Sequence, residues 1–271
     1  MRIAVNGVNY HVEAVGAGRP LLLLHGFTGS VRTWDRFVPD WSRTWRTVAV
    51  DLIGHGETDA PEDPERYTME HTVRDLVGIL DALEIADATV LGYSMGGRTA
   101  LSLAMIWPER VSGLILESTS PGLETPEQRE ARIRQDEALA DRIMREGLER
   151  FVEYWENLPL FAGLKRLSPE LQQHIRFQRL RNRPLGLANS LRGMGTGRQP
   201  SWWASLASLP MPVLLVAGEQ DAKFMEIAER MVSAIPHAEF VPVPNAGHTV
   251  HVEQAELFDT IVKEFLSGIP L

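Results

Sequence analysis

The feature that most restricts the fold of this chain is an alternation of short apolar runs and helical stretches. Each run is only three to five residues long and carries almost no charge, which is typical of strands buried on both faces of a parallel sheet. Between two of the runs, residues 69–83 repeat apolar side chains on one helical face. This alternation predicts an α/β fold with a doubly wound, mostly parallel sheet. The apolar runs lie at residues 20–24, 47–51, 89–92, 114–116 and 213–216.

Two further segments open the chain, at residues 2–6 and 10–15. Each is followed by a turn that contains glycine, so together they predict an antiparallel hairpin. A last strand is predicted at residues 239–243, before a final helix.

The alternation is interrupted after Ser120 and resumes at Pro212. The segment between them is helical in pattern and contains no strand signal, so it predicts an insertion into one sheet rather than a second tandem domain. We predict an α/β core formed by residues 1–120 and 201–271, and a helical cap formed by residues 121–200. The predicted helices of the cap are at residues 129–145, 147–156, 169–180 and 185–194.

Composition excludes several classes of protein. The 271 residues include no cysteine, which excludes disulfides, thiolate metal sites and a cysteine nucleophile. A net charge of −9 argues against nucleic-acid binding, which needs a basic face. No apolar run approaches the roughly 18 residues of a membrane-spanning helix, and the first residues lack the apolar stretch of a secretion signal. We therefore expect a cytoplasmic protein with no membrane span and no nucleic-acid partner.

Charge is distributed unevenly along the chain. Residues 124–200 contain 13 Arg and 1 Lys against 11 acidic residues, a net charge of +3 in a chain whose total is −9. Arginine suits planar, bidentate recognition of carboxylates. The excess of arginine over lysine, 24 to 3, fits equally well a GC-rich genome that encodes arginine in place of lysine.

A catalytic motif follows the strand at residues 89–92. Gly92-Tyr93-Ser94-Met95-Gly96-Gly97 matches G-x-S-x-G and leads directly into a helix predicted at residues 98–107. In this strand–turn–helix context, small residues permit a tight, strained turn that exposes the Ser94 hydroxyl at the start of the helix. We predict that Ser94 is the reactive group. The alternative is a glycine-rich turn without a catalytic function.

A serine hydroxyl needs a base, and the base needs an orienting carboxylate. His248 follows the strand at residues 239–243, and Asp221 follows the strand at residues 213–216. The order Ser94, Asp221, His248 is that of the triad in the α/β-hydrolase fold. His251 is the reserve base and Glu219 the reserve acid.

An oxyanion hole requires two backbone N–H groups that point to one place. One is expected from Met95, directly after the serine. The other is expected from the loop His25-Gly26-Phe27 after the strand at residues 20–24, with Phe27 as the donor. The alternative interpretation of His25-Gly26 is an ordinary strand end.

Taken together, these motifs resemble the α/β-hydrolase superfamily over nearly the whole chain. Within it, Arg98 and the stretches at residues 190–200 and 218–224 are similar to the 2-succinyl-6-hydroxy-2,4-cyclohexadiene-1-carboxylate synthases of menaquinone biosynthesis. The resemblance implies a mostly parallel eight-stranded sheet with a helical cap. It also implies a lyase that eliminates pyruvate from 2-succinyl-5-enolpyruvyl-6-hydroxy-3-cyclohexene-1-carboxylate by abstracting a ring proton. The superfamily motifs are Leu24-His25-Gly26-Phe27, Asp51-Leu52-Ile53-Gly54-His55-Gly56, Gly92-Tyr93-Ser94-Met95-Gly96-Gly97-Arg98 and Asn245-Ala246-Gly247-His248.

The resemblance further implies a small anionic substrate and residues that bind it. The substrate of this family carries three carboxylates, which the positive cap over an acidic body would suit. For each cap arginine, the alternative is a solvated helix face. The positions that match the family are Arg98, Arg132 and Arg179 for the carboxylates, with Tyr93 and Trp155 as walls of the pocket.

Other functions are compatible with the same triad. A serine esterase or a carbon–carbon bond hydrolase would use it with a covalent intermediate, and a small-molecule receptor of this fold would retain it without catalysis. No cofactor is implied. No metal is implied either, because His25, His55 and His248 lack the spacing of metal ligands.

Overall fold

An eight-stranded sheet forms the centre of the structure, a computed structural model that describes residues 1–269. The strands are β1 (Arg2–Val5), β2 (Val8–Val15), β3 (Arg19–Leu24), β4 (Trp45–Val50), β5 (Ala88–Tyr93), β6 (Val111–Glu117), β7 (Val213–Gly218) and β8 (Ala238–Val243). Their order in the sheet is β1-β2-β4-β3-β5-β6-β7-β8. β2 runs antiparallel to both of its neighbours, and all the other pairs are parallel.

Both faces of the sheet are buried, which explains the continuous apolar runs in the sequence. Along β3, Leu22 and Leu24 belong to the apolar cluster on one face, whereas Leu21 and Leu23 belong to the cluster on the other. This is the two-residue period of a strand, and here each face meets a layer of helices. α2, α3 and α8 pack on the first face, and α1 and α10 pack on the second. These helices are α1 (Val38–Trp41), α2 (Met69–Ala82), α3 (Met95–Ile106), α8 (Ala222–Ala234) and α10 (Ala255–Gly268), and the short α9 (Val250–Glu253) precedes α10.

Four helices and one 3₁₀ segment lie between residues 126 and 194, within the connection from β6 to β7. A capping box at Thr125 begins the first of them, and Gly147, with φ of 82°, ends it. They form an apolar cluster of their own, in which Ile143, Phe151 and Leu187 are fully buried. The helices are α4 (Pro126–Glu146), α5 (Leu148–Glu156), α6 (Pro169–Leu180) and α7 (Pro184–Met194), and the 3₁₀ segment is Pro159–Arg166.

The predicted fold class is confirmed, including the antiparallel hairpin and the mostly parallel sheet of eight strands. α3 starts earlier than predicted, at Met95 rather than Arg98, because the Arg98 N–H already donates to the Ser94 carbonyl at 3.0 Å. α4 also starts earlier, at Pro126 rather than residue 129, because the capping box at Thr125 begins it. The 3₁₀ segment was not predicted, because Pro159 and Gly163 resemble loop residues. The division of the chain at residues 121 and 200 stays a prediction. Among residues 1–269, no helix is long and apolar enough to cross a membrane.

Parallel strands bring their carboxyl ends to one edge of the sheet, where ligands of open α/β sheets bind. The loops that follow β3, β5, β7 and β8 carry Phe27, Ser94, Asp221 and His248 respectively. Residues that are up to 221 positions apart in sequence are thus expected to meet at one place.

Candidate active site

Ser94 lies in a strained turn between β5 and α3. Its φ of 51° and ψ of −105° are unfavourable for a residue with a side chain, and its N–H donates to the Glu117 carbonyl at 2.9 Å. The neighbouring glycines are required by close packing, since a Cβ at Gly96 would lie 2.2 Å from the Leu24 carbonyl oxygen. The turn therefore places the serine side chain at the helix start, as the motif predicts.

Ser94, His248 and Asp221 form one hydrogen-bonded chain. The Ser94 hydroxyl lies 3.0 Å from His248 Nε2, and His248 Nδ1 lies 2.7 Å from Asp221 Oδ2. This geometry assigns the histidine proton to Nδ1, which leaves Nε2 free to accept the serine proton. Asp221 also caps α8, because its Oδ1 accepts the Phe224 N–H at 3.4 Å. The three residues have the arrangement of a nucleophile, a base and an orienting acid.

Glu253 holds the loop of His248 from both sides. Its Oε2 accepts the Gly247 N–H at 3.0 Å, and its Oε1 accepts the Thr249 hydroxyl at 2.8 Å and the Thr249 N–H at 3.3 Å. Its side chain is only 3% exposed, and Arg166 pairs with it at 3.2 Å. Glu253 is not predicted from the sequence. Its position five residues after His248 is the only signal, and that spacing is common.

The expected oxyanion loop is fixed by a neutral histidine. His25 Nδ1 donates to the Gly26 carbonyl at 2.8 Å, and Nε2 accepts the Leu52 N–H at 3.0 Å. Burial lowers the pKa of His25 to about 4, so the ring is uncharged at neutral pH and suits both roles. Phe27, two residues after His25, lines the same cavity as Ser94 and Met95. Met95 is the first residue of α3, where an N–H has no partner within the helix.

A cavity of about 290 Å³ opens above Ser94 and His248. Its walls are partly apolar and partly cationic, and of the residues between 1 and 269 that line it, one, Glu124, carries a carboxylate. Tyr93 and Trp155 are among its walls, and Trp155 packs against Phe27 with 5.3 Å between ring centroids. Four cationic side chains line it: Arg98, Arg132, Lys223 and Arg230.

Arg98 and Arg132 differ in how their charges are balanced. Arg98 donates to two neutral oxygens, the Met194 carbonyl at 2.9 Å and the Gln199 side-chain oxygen. Burial, with a further contribution from Arg132, lowers the pKa of Arg98 to about 10, so it stays charged at neutral pH. Arg132 instead pairs with Asp136 at 2.8 Å. Arg98 is therefore better placed to attract an anion into the cavity.

Arg179 lies outside this cavity. It lines a neighbouring one of about 200 Å³, and the two cavities share Phe27, Tyr93 and Phe161 as walls. Its guanidinium carbon lies 5.0 Å from the centre of the Phe161 ring, and the residue is 7% exposed. The structure thus brings Arg98 and Arg132 to the triad, and places Arg179 behind a shared aromatic wall.

The reserve candidates occupy other environments. His251 is buried, and its Nδ1 and backbone N–H both donate to the buried carboxylate of Glu117, at 2.8 and 3.1 Å. Glu219 is exposed at the end of β7. Among residues 1–269, neither His251 nor Glu219 forms a hydrogen bond with Ser94. In the same described range, no group of three or more His, Asp or Glu side chains is arranged to hold a metal ion.

The chain belongs to the α/β-hydrolase fold family, whose model matches residues 19–255. Within that family it is similar to a Bacillus subtilis (strain 168) protein that carries the name 2-succinyl-6-hydroxy-2,4-cyclohexadiene-1-carboxylate synthase in provisional form. The two are 50% identical over 269 residues, 97% of each chain. The synthase of that name from Klebsiella pneumoniae subsp. pneumoniae is 33% identical over 249 residues, 88% of this chain and 91% of its own.

Two solved structures are similar over almost their full length. MenH from S. aureus has a TM-score of 0.91 and 37% identity, with 95% of this chain and 97% of that chain covered. A thermophilic esterase from Thermogutta terrifontis, with malate bound, has a TM-score of 0.88 and 31% identity, with 99% of each chain covered. The resemblance stated from the motifs is thereby confirmed.

Proposed function

We propose that this chain is a lyase that eliminates pyruvate from 2-succinyl-5-enolpyruvyl-6-hydroxy-3-cyclohexene-1-carboxylate, giving 2-succinyl-6-hydroxy-2,4-cyclohexadiene-1-carboxylate in menaquinone biosynthesis. The observation that carries the proposal is the 50% identity, over 97% of both chains, with a relative that bears the name of this synthase. The geometry supports it, because the Ser94–His248–Asp221 chain opens onto a cavity with four cationic side chains.

In the proposed reaction Ser94 acts as a base rather than a nucleophile. Its oxygen gives its proton to His248 Nε2 and takes a proton from a ring carbon of the substrate. The electron pair of that C–H bond forms one ring double bond, the double bond already in the ring shifts by one position, and the C–O bond between the ring and the enolpyruvyl group breaks. The leaving group receives the proton held by His248 and becomes pyruvate. Negative charge that develops on the succinyl carbonyl is stabilised by the N–H groups of Phe27 and Met95.

Three arginines are assigned to the carboxylates of the substrate. Arg98 and Arg132 line the cavity beside Ser94, and Tyr93 and Trp155 form its walls. Arg179 is assigned to a carboxylate that extends toward the neighbouring cavity. Residues 121–200 act as the cap that carries Arg132, Trp155 and Arg179. A small anionic substrate, a cytoplasmic location and the lack of a nucleic-acid partner belong to the same proposal.

A serine esterase is the second candidate function. The similarity to a malate-bound esterase at 31% identity favours it, as does a serine already hydrogen-bonded to its base. In that case Ser94 would attack a carbonyl and form an acyl-enzyme. The triad is common to both chemistries, so it does not distinguish them.

A single-turnover experiment separates the two candidates. We expect the wild-type enzyme to release pyruvate from the anionic substrate without any mass increase on the protein, and to show a slower rate when the abstracted position carries deuterium. A covalent adduct on Ser94 along the productive path would contradict the proposal, as would fast turnover of neutral aryl esters with no pyruvate released. Stopped-flow detection of pyruvate and intact-protein mass spectrometry provide the two measurements.

A further inference from the structure

Ser118 is a polar residue of the catalytic cavity that the proposed mechanism does not use. It follows β6 directly, is 1% exposed, and lines the cavity that contains Ser94 and His248. Its hydroxyl has no hydrogen-bond partner among the described residues. Because buried polar groups are almost always paired, an unpaired hydroxyl on a cavity wall indicates a ligand that completes it.

The backbone of Ser118 strengthens this interpretation. Its φ of 48° lies in the left-handed region, which favours glycine over any residue with a side chain. Glycine at this position would remove both the strain and the unpaired hydroxyl. Strained residues of this kind cluster at binding and catalytic sites.

Lys223 is the second residue of α8 and lines the same cavity. Within residues 1–269 its ammonium group forms no hydrogen bond and no ion pair. Its Nζ lies 5.4 Å from the centre of the Phe224 ring. Burial, with added repulsion from Arg132, lowers the pKa of Lys223. Asp221 opposes this shift, and the residue as a whole is exposed to solvent. An anion bound beside the ammonium would therefore meet a charge that has no ion-pair partner among residues 1–269.

The other cations of the cavity have partners. Arg132 pairs with Asp136 at 2.8 Å, and Arg230 pairs with Glu124 at 2.6 Å. Arg98 is held by two neutral oxygens. Among the described residues that line the cavity, Lys223 is thus the cation without any hydrogen-bonded partner.

Ser118 and Lys223 follow neighbouring strands at the same edge of the sheet. β6 and β7 are neighbouring parallel strands, and the Ser118 N–H donates to the Val216 carbonyl at 2.9 Å. α8 begins directly after Asp221, so Lys223 lies two residues beyond the acid of the triad. Ser118 in turn follows Glu117, whose carbonyl accepts the Ser94 N–H. A ligand held by both side chains would lie next to the triad.

We propose that Ser118 and Lys223 form a carboxylate-binding subsite at the carboxyl ends of β6 and β7. A carboxylate is the matching ligand, because it only accepts hydrogen bonds and carries the charge that balances an ammonium group. The buried Trp155 Nε1 is a further donor without a partner among the described residues of the same cavity. The inference rests on the proposed function only for its natural ligand, a carboxylate of the substrate.

Direct binding of succinate tests the subsite without relying on turnover. We expect calorimetric titration at low salt to show succinate binding weakened about 10-fold in Lys223→Met and about 5-fold in Ser118→Ala, since hydrogen bonds to charged groups are the stronger class. The double variant should lose less than the product of the two single losses, because both side chains hold one carboxylate. In kinetics with the anionic substrate, KM should rise by similar factors while kcat changes less than about 3-fold.

Two controls separate binding from folding. Ser118→Gly removes the hydroxyl and also relieves the backbone strain, so it should bind succinate as weakly as Ser118→Ala while unfolding no more easily than the wild type. Lys165→Met removes one of the three lysines at an exposed position and should bind succinate normally. Succinamide, which has the same shape without charge, should be insensitive to all of these substitutions.

Three results would overturn the subsite: wild-type protein that does not bind succinate, single variants that bind it like the wild type, or single losses that multiply in the double variant. If succinate binding weakens as expected but the wild type releases no pyruvate, the subsite stands and the proposed reaction fails. If pyruvate is released normally but the variants change neither KM nor succinate binding, the proposed reaction stands and the subsite fails.

Discussion

Arg166 and Glu253 form an ion pair, Nη2 to Oε2 at 3.2 Å, that joins the 3₁₀ segment Pro159–Arg166 to the loop of His248. Glu253 is buried and accepts N–H groups on both sides of the histidine, whereas the Arg166 side chain is 54% exposed. The two partners therefore have unequal importance. The carboxylate orients the proposed base, and the arginine stabilises the carboxylate from outside.

Replacing the carboxylate should reduce the chemical step. In Glu253→Gln, one oxygen that accepts N–H groups becomes an NH₂ donor, so the loop shifts and His248 moves relative to Ser94. We expect kcat to fall about 10- to 100-fold with KM little changed, because small displacements of a catalytic group have effects of this size. Arg166→Met, which breaks only the half-exposed pair, should lower kcat less than about 5-fold. Equal effects of the two substitutions, measured by steady-state kinetics, would contradict this assignment.

Two buried histidines make the fold sensitive to acid. Burial lowers the pKa of His25 to about 4 and that of His55 to about 3. Below pH of about 6.5 the unfolded chain binds protons at these histidines that the folded chain does not, so stability falls as the pH is lowered toward those values. We expect the free energy of unfolding to fall by about 2 kcal/mol for each histidine between pH 7 and pH 4.5.

Urea unfolding at several pH values checks this prediction. His55→Leu should show a shallower decrease between pH 7 and pH 4.5 than the wild type, whatever its absolute stability. His71→Leu, at an exposed position of α2, is the matched control and should retain the wild-type slope. A His55→Leu slope equal to that of the wild type would show that His55 is not buried in its neutral form.

The triad candidates could be predicted because each follows an apolar strand, and parallel strands end at one edge. Ser94, Asp221 and His248 needed only their order and their strand context. Lys223 and Glu253 lack such a signal, since their roles depend on which cavity or loop lies beside them. Arg179 shows the same limit, because helical spacing defines the face of α6 but not the side of Phe161 on which that face lies.

Ser94 and His248 should act as one unit. If the serine oxygen abstracts the proton only after His248 accepts its own, removing either group abolishes the same step. We expect Ser94→Ala and His248→Ala each to lower kcat by about four orders of magnitude, and the double variant to be little worse than either. Rates of pyruvate release under saturating substrate provide the comparison. Losses that multiply would show that the two residues act independently.

The arginines offer a test of how far the binding site extends. Arg98 has only neutral hydrogen-bond partners, so Arg98→Met should lower kcat/KM about 10- to 200-fold, the range for a lost hydrogen bond to a charged group. Arg132→Met should have a smaller effect, because Asp136 already balances that charge.

Arg179 is buried and forms no ion pair with any residue between 1 and 269, and such a cation is stabilised by an anionic ligand. We therefore expect Arg179→Met to lower kcat/KM about 10-fold. Arg145→Met, at an exposed position, is the control for loss of charge alone. If Arg179→Met behaves like Arg145→Met, the cavity behind Phe161 does not belong to the substrate site. If all four variants behave alike, the whole assignment of carboxylate-binding arginines is wrong.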